Sequence, residues 1–209
     1  ILEHLVDSGI DLGAIPLPDP GLSEEQQRAV DSILRHPVSI LTGGPGTGKT
    51  TTIRVLTDAL SSMKVRFSLA APTGRAAKRL SEATGYPAST IHRLLAYQPG
   101  EGFKYHQKNP LPVEFLIVDE ASMLDILLTY QLLSALRPGT YLLLVGDVDQ
   151  LPSVGAGDVL RELIDSGVAN VSHLTQIFRQ SANSKIITNA HRINQGEQPV
   201  FGKESRDFF

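Results

Sequence analysis

From about residue 22 onward the chain alternates two kinds of apolar pattern. Short continuous apolar runs, Val38–Thr42, Val65–Ala71, Phe115–Asp119, Tyr141–Gly146 and Val171–Leu174, have strand length and do not alternate with polar residues. Between them lie amphipathic runs, Glu24–His36, Lys49–Ser62, Gly74–Ala83, Leu124–Leu136, Asp158–Ser166 and Ser184–Asn194, whose apolar positions recur at helical spacing. Strands apolar on both faces and separated by helices predict a parallel sheet covered on both sides, an α/β fold. Residues 1–21 hold a short helical pattern (Leu2, Leu5, Val6) followed by a Pro16-to-Gly21 stretch that reads as a linker. Tyr97–Pro112 breaks the rhythm. Pro99-Gly100-Glu101-Gly102 is a turn, and Phe103, Tyr105 and Gln107 alternate with Lys104, His106 and Lys108, which predicts an inserted hairpin with an aromatic and a basic face.

Composition narrows the class only modestly. The chain has 209 residues, 41% hydrophobic and 20% charged, enough for a sizeable core and unlike a disordered chain. It contains no run of about eighteen apolar residues, the length a membrane-spanning helix needs, and no signal-peptide pattern opens it. Cysteine is absent, which removes disulfides, Cys-ligated zinc and thiol catalysis and is compatible with a reducing cytosol. A formal charge of −3 does not advertise a broad basic surface for nucleic acid. The start at Ile1 and the apolar ending Asp207-Phe208-Phe209 lead to the expectation that the chain is a piece of a longer polypeptide.

Two motifs carry chemistry. Gly43-Gly44-Pro45-Gly46-Thr47-Gly48-Lys49-Thr50 satisfies the G-x-x-x-x-G-K-[ST] pattern, with an apolar strand before it and a helical run after it. Glycines let the backbone wrap with its N–H groups inward at a helix N-terminus, an anion nest. Lys49 supplies a point charge for β- and γ-phosphates, and the Thr50 hydroxyl can ligate Mg²⁺. The second motif is the apolar run Phe115-Leu116-Ile117-Val118 ending in Asp119-Glu120. Adjacent carboxylates at the end of a buried strand have no packing rationale, since an unpaired buried charge is costly. Beside a phosphate loop, Asp119 would hold Mg²⁺ and Glu120 would orient and deprotonate an attacking water. Together the two motifs point to hydrolysis of a nucleoside triphosphate.

Further residues narrow this. Leu69-Ala70-Ala71-Pro72-Thr73-Gly74-Arg75-Ala76-Ala77, Ser89-Thr90-Ile91-His92-Arg93-Leu94, Val118-Asp119-Glu120-Ala121-Ser122-Met123, Gly146-Asp147-Val148-Asp149-Gln150-Leu151-Pro152 and Leu174-Thr175-Gln176-Ile177-Phe178-Arg179-Gln180 follow the phosphate loop in order. This set resembles the RecD-like group of superfamily 1 DNA helicases (5′→3′, 1B-type) over roughly residues 22–200. The resemblance implies a P-loop NTPase of RecA-like fold at 22–180 and, at 96–112, an inserted hairpin acting as a pin that splits duplex DNA. It makes 1–21 a linker from a preceding domain and 181–209 a connector into a second RecA-like domain. It implies ATP with Mg²⁺, bound through Gln26, Gly44, Pro45, Gly46, Thr47, Gly48, Lys49, Thr50 and Thr51, with Thr50 and Asp119 on the metal. It assigns catalysis to Lys49, Glu120, the γ-phosphate sensor Gln150 and the arginine finger Arg179. Thr73, Gly74, Arg75, His92, Phe103 and Tyr105 would contact single-stranded DNA. The implied partners are single-stranded DNA, a duplex junction, the second motor domain and a larger repair or recombination complex, with no membrane. The implied setting is a bacterial cytoplasm, at the nucleoid. Nothing after Arg179 matches the second domain's motifs, so this stretch alone is expected to bind ATP·Mg weakly, hydrolyse it poorly and not unwind DNA.

Structural readings stand beside these. Ser23-Glu24-Glu25-Gln26 is a capping box, which needs no ligand, whereas the resemblance has Gln26 read the adenine edge. Arg179 could cap a helix, and Gln150 could be a solvated loop residue. Lys78 and Arg79 read as a solvated helix face, Gly155-Ala156-Gly157 as a loop allowing close backbone approach, and Asp158 as an N-cap. An RNA helicase or translocase, a nucleotide-gated binding module and a small-molecule kinase are the alternative functions. The kinase has no use for Gln150 and Arg179.

Overall fold

The computed structural model describes Leu2, Leu5, Leu12, residues 21–178 and residues 184–201. Strands β1 (Val38–Gly43), β2 (Phe67–Ala71), β3 (Ala88–Thr90), β6 (Phe115–Val118), β7 (Tyr141–Gly146) and β8 (Asn170–Leu174) form one sheet in the order β3-β2-β6-β7-β1-β8. Every pairing in it is parallel. The helices are α1 (Glu24–Arg35), α2 (Lys49–Ser62), α3 (Gly74–Thr84), α4 (Ile91–Leu94), α5 (Ile126–Ser134), α6 (Val159–Ser166) and α7 (Lys185–Asn194).

The unbroken apolar runs have a direct explanation. Side chains alternate between the two faces of a strand, and each face of this sheet meets its own core. Leu116 and Val118 of β6, Leu142 and Leu144 of β7, and Val38 and Ile40 of β1 pack on one side with Ile91, Leu132 and Leu160. Phe115 and Ile117, Tyr141, Leu143 and Val145, and Leu41 pack on the other with Val30, Ile33, Ile53, Leu56 and Leu80. Phe115 and Tyr141 stack directly across the strand pair at 5.5 Å between ring centroids.

Two departures from the sequence pattern are instructive. Strand β3 has no apolar signature, because Ala88, Ser89 and Thr90 sit half-buried at the sheet edge and are held by their pairing with β2. Asp158 stands at the N-cap position of α6 but makes no capping hydrogen bond; its carboxylate accepts from Arg161 Nε at 2.9 Å, while Arg161 Nη2 donates to the Val148 carbonyl at 2.7 Å. The Gly155–Gly157 loop does meet a close neighbour. A Cβ on Gly155 would lie 2.6 Å from the Asp125 side chain, and Ala156 O accepts from Ile126 N.

The inserted hairpin is short, with β4 (Tyr97–Gln98) pairing antiparallel to β5 (Gly102–Phe103) and a further bridge at His106–Asn109. The alternation is present but the aromatic side is turned inward. Phe103 and Tyr105 are partly buried against the core under α4, whereas Lys104, His106, Gln107 and Lys108 are exposed.

The two ends of the described domain are tied by one carboxylate. Glu25, in the first turn of α1, accepts from Thr175 N, Thr175 Oγ1 (2.8 Å) and Gln176 N (3.1 Å), just beyond β8. Desolvation by burial, the largest single influence, opposes ionisation, but the hydrogen bonds from Gln176 and Thr175 and the His173 charge together outweigh it and hold the carboxyl below its ordinary 4.5. A depressed folded-state value means stability that is present above pH 4.5 and lost as pH falls through the folded value. Glu25→Gln is therefore expected to lower stability at pH 7 by about 1 kcal/mol, roughly 2–4 °C in Tm. In thermal melts from pH 7 to pH 3 the gap from the wild type should close at the acid end. A gap that persists at pH 3 would contradict the clamp.

Candidate nucleotide and nucleic-acid site

All candidate residues on the described strands converge on one edge. Because the strands are parallel, their carboxyl ends lie on the same side, where open α/β sheets place ligands. Along that edge, β3 leads to His92, β2 to Thr73–Arg75, β6 to Asp119–Glu120, β7 to Asp147–Gln150, β1 to the phosphate loop and β8 to Thr175–Phe178. The sheet order thus sorts the nucleic-acid candidates onto one half and the nucleotide candidates onto the other, with the two acids between them.

The loop between β1 and α2 turns on Gly46 and Gly48, with φ of +79° and +85°, backbone that residues with a Cβ rarely adopt. Thr47 Oγ1 donates to Gly44 O at 2.8 Å and is buried. Lys49 Nζ reaches back to the carbonyls of Gly43 and Gly44, the latter at 3.1 Å. Thr50 and Thr51 open α2 and are exposed. Gln26 does complete the capping box, its Oε1 accepting from Ser23 N (3.1 Å) while Ser23 Oγ accepts from Gln26 N (3.3 Å). Its side-chain nitrogen also donates to Gly48 O at 3.2 Å, so the amide is tied to the phosphate loop as well.

Strand β7 lies between β1 and β6, so Asp147 is the acid next to the loop and Asp119 and Glu120 stand one strand further. Burial pulls the Lys49 ammonium below its ordinary value, and the charges of Asp147, Asp119 and Glu120 oppose that pull. Burial pushes the Asp119 carboxyl up to about 6; the backbone N–H of Glu120 works against this, the Glu120 charge adds to it and Lys49 offsets part. Glu120 itself has φ 55° and ψ 41°, left-handed backbone in a non-glycine residue, where β6 ends and the chain folds into the 3₁₀ turn Ala121–Met123. Such a conformation costs on the order of 1–3 kcal/mol and is typically held at functional turns. Gln150 is exposed on the turn after β7, its backbone N–H bonded to Asp147 O at 3.2 Å. Arg179 lies outside the described residues.

On the other half of the edge, Thr73 caps α3, its Oγ1 accepting from Ala76 N at 3.2 Å and leaving the hydroxyl proton free to donate. Gly74 and Arg75 are exposed in the first turn. Lys78 pairs with Glu82 at 3.8 Å, as a solvated helix face does. His92 is exposed and packed edge-on to Tyr97 (5.8 Å) and tilted to Phe103 (5.7 Å), so it joins the base of the hairpin to the sheet edge.

Four participants were not singled out from sequence: Asp147, Glu25, Phe178 and His191. Asp147 carries the same signal as Asp119, an acid closing an apolar strand. The others act across long separations that no local pattern encodes. Phe178 N donates to Gly46 O at 3.2 Å, and His191 Nε2 lies 3.0 Å from Pro45 O.

Residues 26–156 match a protein-family model described as an AAA domain. The chain is 48% identical over 182 residues to the ATP-dependent RecD2 DNA helicase of Deinococcus radiodurans, covering 87% of this chain and 25% of the relative. It is 40% identical over 199 residues to the RecBCD enzyme subunit RecD of Mycobacterium tuberculosis, covering 83% and 35%. The chain thus spans about a quarter to a third of the length of these curated relatives. Among solved structures it superposes on Pif1 helicase from Candida albicans with a TM-score of 0.61 at 25% identity, over 85% of this chain and 45% of that one. A Bacteroides Pif1 bound to ssDNA, at 23% identity and a TM-score of 0.54, shares the fold. By the family model and these similarities, the chain belongs to the AAA-domain P-loop ATPases and, among them, to the RecD-like superfamily 1 helicases as their N-terminal RecA-like motor domain.

Proposed function

We propose that this domain binds and hydrolyses ATP·Mg as the first motor lobe of a 5′→3′ DNA helicase acting on single-stranded DNA at a duplex junction. The observation that carries the proposal is the single sheet edge on which Lys49, Asp147, Asp119 and Glu120 meet the phosphate loop while Thr73 and His92 occupy the adjoining strand ends. The backbone from Gly44 to Thr51 cradles the phosphates and Lys49 neutralises them. Gln26, buried to 1% exposure, supports the loop through Gly48 and would place its amide beside the adenine. Thr50 and Asp119 are hard oxygen donors suited to Mg²⁺, and a carboxyl raised to about 6 by burial is one that a divalent cation would return to its ionised form. Bound there, the metal would offset charge on the transferring phosphoryl group. Glu120 takes the proton of the attacking water, Gln150 contacts the γ-phosphate from the β7 end, and Arg179 brings a guanidinium to the developing charge.

The nucleic-acid strand runs across β3 and β2, taking phosphate from the Thr73 hydroxyl, the backbone at Gly74 and the Arg75 charge, with His92 beside them. Hydroxyl and backbone donors explain how a chain of net charge −3 holds a polyanion. The hairpin meets the duplex with its exposed Lys104, His106, Lys108 and Tyr97, with Phe103 and Tyr105 contributing from half-buried positions. The second motor domain, a larger repair or recombination complex and a bacterial cytoplasmic, nucleoid location complete the reading. No described helix is long and apolar enough to cross a membrane.

Glu120→Gln should keep ATP·Mg affinity within about threefold and reduce hydrolysis by 100-fold or more, whereas Lys49→Ala should lose affinity itself; a Glu120→Gln protein that hydrolyses ATP at the wild-type rate would overturn the assignment. The Asp119 charge has a separate consequence for stability. With its folded-state value raised from 3.8 to about 6, its favourable contribution is complete below pH 3.8 and is lost as pH rises through 6. Asp119→Asn is therefore expected to stabilise the nucleotide- and magnesium-free protein by about 1–3 kcal/mol at pH 7.5 while abolishing hydrolysis. That advantage should shrink toward pH 4 in thermal melts; an Asn variant less stable than the wild type at pH 7.5 would contradict the buried-charge account. In the full-length polypeptide, replacing Lys104, His106 and Lys108 together by Ala should reduce duplex unwinding several-fold more than single-strand-stimulated ATPase. Equal losses in both would count against the hairpin's role.

A further inference from the structure

The phosphate loop is held from outside by three elements distant in sequence. Gln26 of α1 donates to Gly48 O, Phe178 N beyond β8 donates to Gly46 O, and His191 of α7 faces Pro45 O at 3.0 Å. A carbonyl only accepts, so the His191 proton resides on Nε2. In a trans peptide the N–H that follows a carbonyl points the opposite way, so these three contacts turn the N–H groups of Gly46, Thr47 and Lys49 away from the packing elements. We infer that His191 is a positioning residue for the nucleotide site: its hydrogen bond to Pro45 sets the orientation of the phosphate loop and makes nucleotide affinity depend on where α7 sits. This rests on the nucleotide reading of the loop given above.

Two independent observations support it. The loop pattern leaves the position of Gly44 open, yet here a Cβ on Gly44 would lie 2.5 Å from His191 Cε1, so a side chain there would displace the imidazole. The imidazole therefore lies against the loop at two successive residues. The helix that presents it is also braced. Asn189, buried to 1% exposure, donates through Nδ2 to Val200 O (3.0 Å) and accepts from Val200 N (2.8 Å). Arg192 pairs with Glu197 at 3.0 Å and donates to Gln198 O at 2.9 Å. These contacts pin the returning segment 195–200 against α7 and fix the rotation at which His191 leaves it. Among the described α7 side chains, the hydrogen bond to the loop is that of the imidazole.

The test is calorimetric titration of the chain with ADP in the presence of Mg²⁺, alongside thermal melts without nucleotide. His191→Ala is expected to weaken ADP binding about fivefold with a thermal midpoint close to that of the wild type, and His191→Gln, which keeps a side-chain N–H of similar reach, to recover most of the affinity. His191→Ala affinity equal to the wild type would overturn the inference, as would equal losses for Ala and Gln accompanied by lower thermal midpoints, the signature of helix packing alone. Failure of the wild type to bind ADP would instead overturn the nucleotide reading, and the inference with it.

Discussion

The domain is organised around one ammonium group that is largely withdrawn from water. Lys49 follows a loop that reverses on two left-handed glycines; its burial is offset by hydrogen bonds to the Gly43 and Gly44 carbonyls and by the charges of three carboxylates at two other strand ends. Asp119 is itself buried, and that burial, with a smaller addition from the Glu120 charge, is why it holds its proton up to about 6. Neither group is comfortable alone, and the imbalance is arranged to be relieved by what the proposed function brings: phosphate charge for the lysine and a divalent cation for the acid. A site built for stability alone would hold apolar side chains there.

The parallel sheet makes this arrangement possible. Because all six strands end on one side, the pairing order decides which side chains become neighbours, and here it interposes β7 between the phosphate loop and the acidic end of β6. The same order continues from Asp119 to Thr73 across a single strand boundary, where Asp119 N is bonded to Ala70 O at 2.9 Å. A change in charge at the acids is therefore one backbone hydrogen bond from the strand that presents the nucleic-acid candidates. In the proposed function this short path is the route by which hydrolysis would be felt at the nucleic-acid strand.

The sequence made the sheet legible to a large extent, because strands covered on both faces must be apolar throughout and helices covering them must be amphipathic. Tyr141–Gly146 and Lys49–Ser62 appear in the structure with the bounds read from sequence. What escaped was set by backbone pairing or by long-range contacts. Strand β3 is polar because an edge strand needs only the ladder to β2. Asp158 lost its capping bond to the competing guanidinium of Arg161. The hairpin's alternation was visible and left two readings, aromatics facing nucleic acid or packed on the domain; in the structure Phe103 and Tyr105 pack on the core. In the site, the loop and the two acids announce themselves by contiguous motifs. The contacts of Gln26, Phe178 and His191 with the loop join residues separated by 22 to more than 140 positions, beyond the reach of any spacing rule.

In the proposed function, nucleotide chemistry and nucleic-acid contact share one sheet edge. That sharing is tested most directly by the rate of phosphate release from ATP by the protein, measured with and without a single-stranded oligonucleotide. Stimulation of about tenfold or more, lost on replacing Thr73 and Arg75 by Ala while ADP affinity is retained, is the expected result. Hydrolysis indifferent to the oligonucleotide, or stimulation undiminished by those replacements, would contradict it.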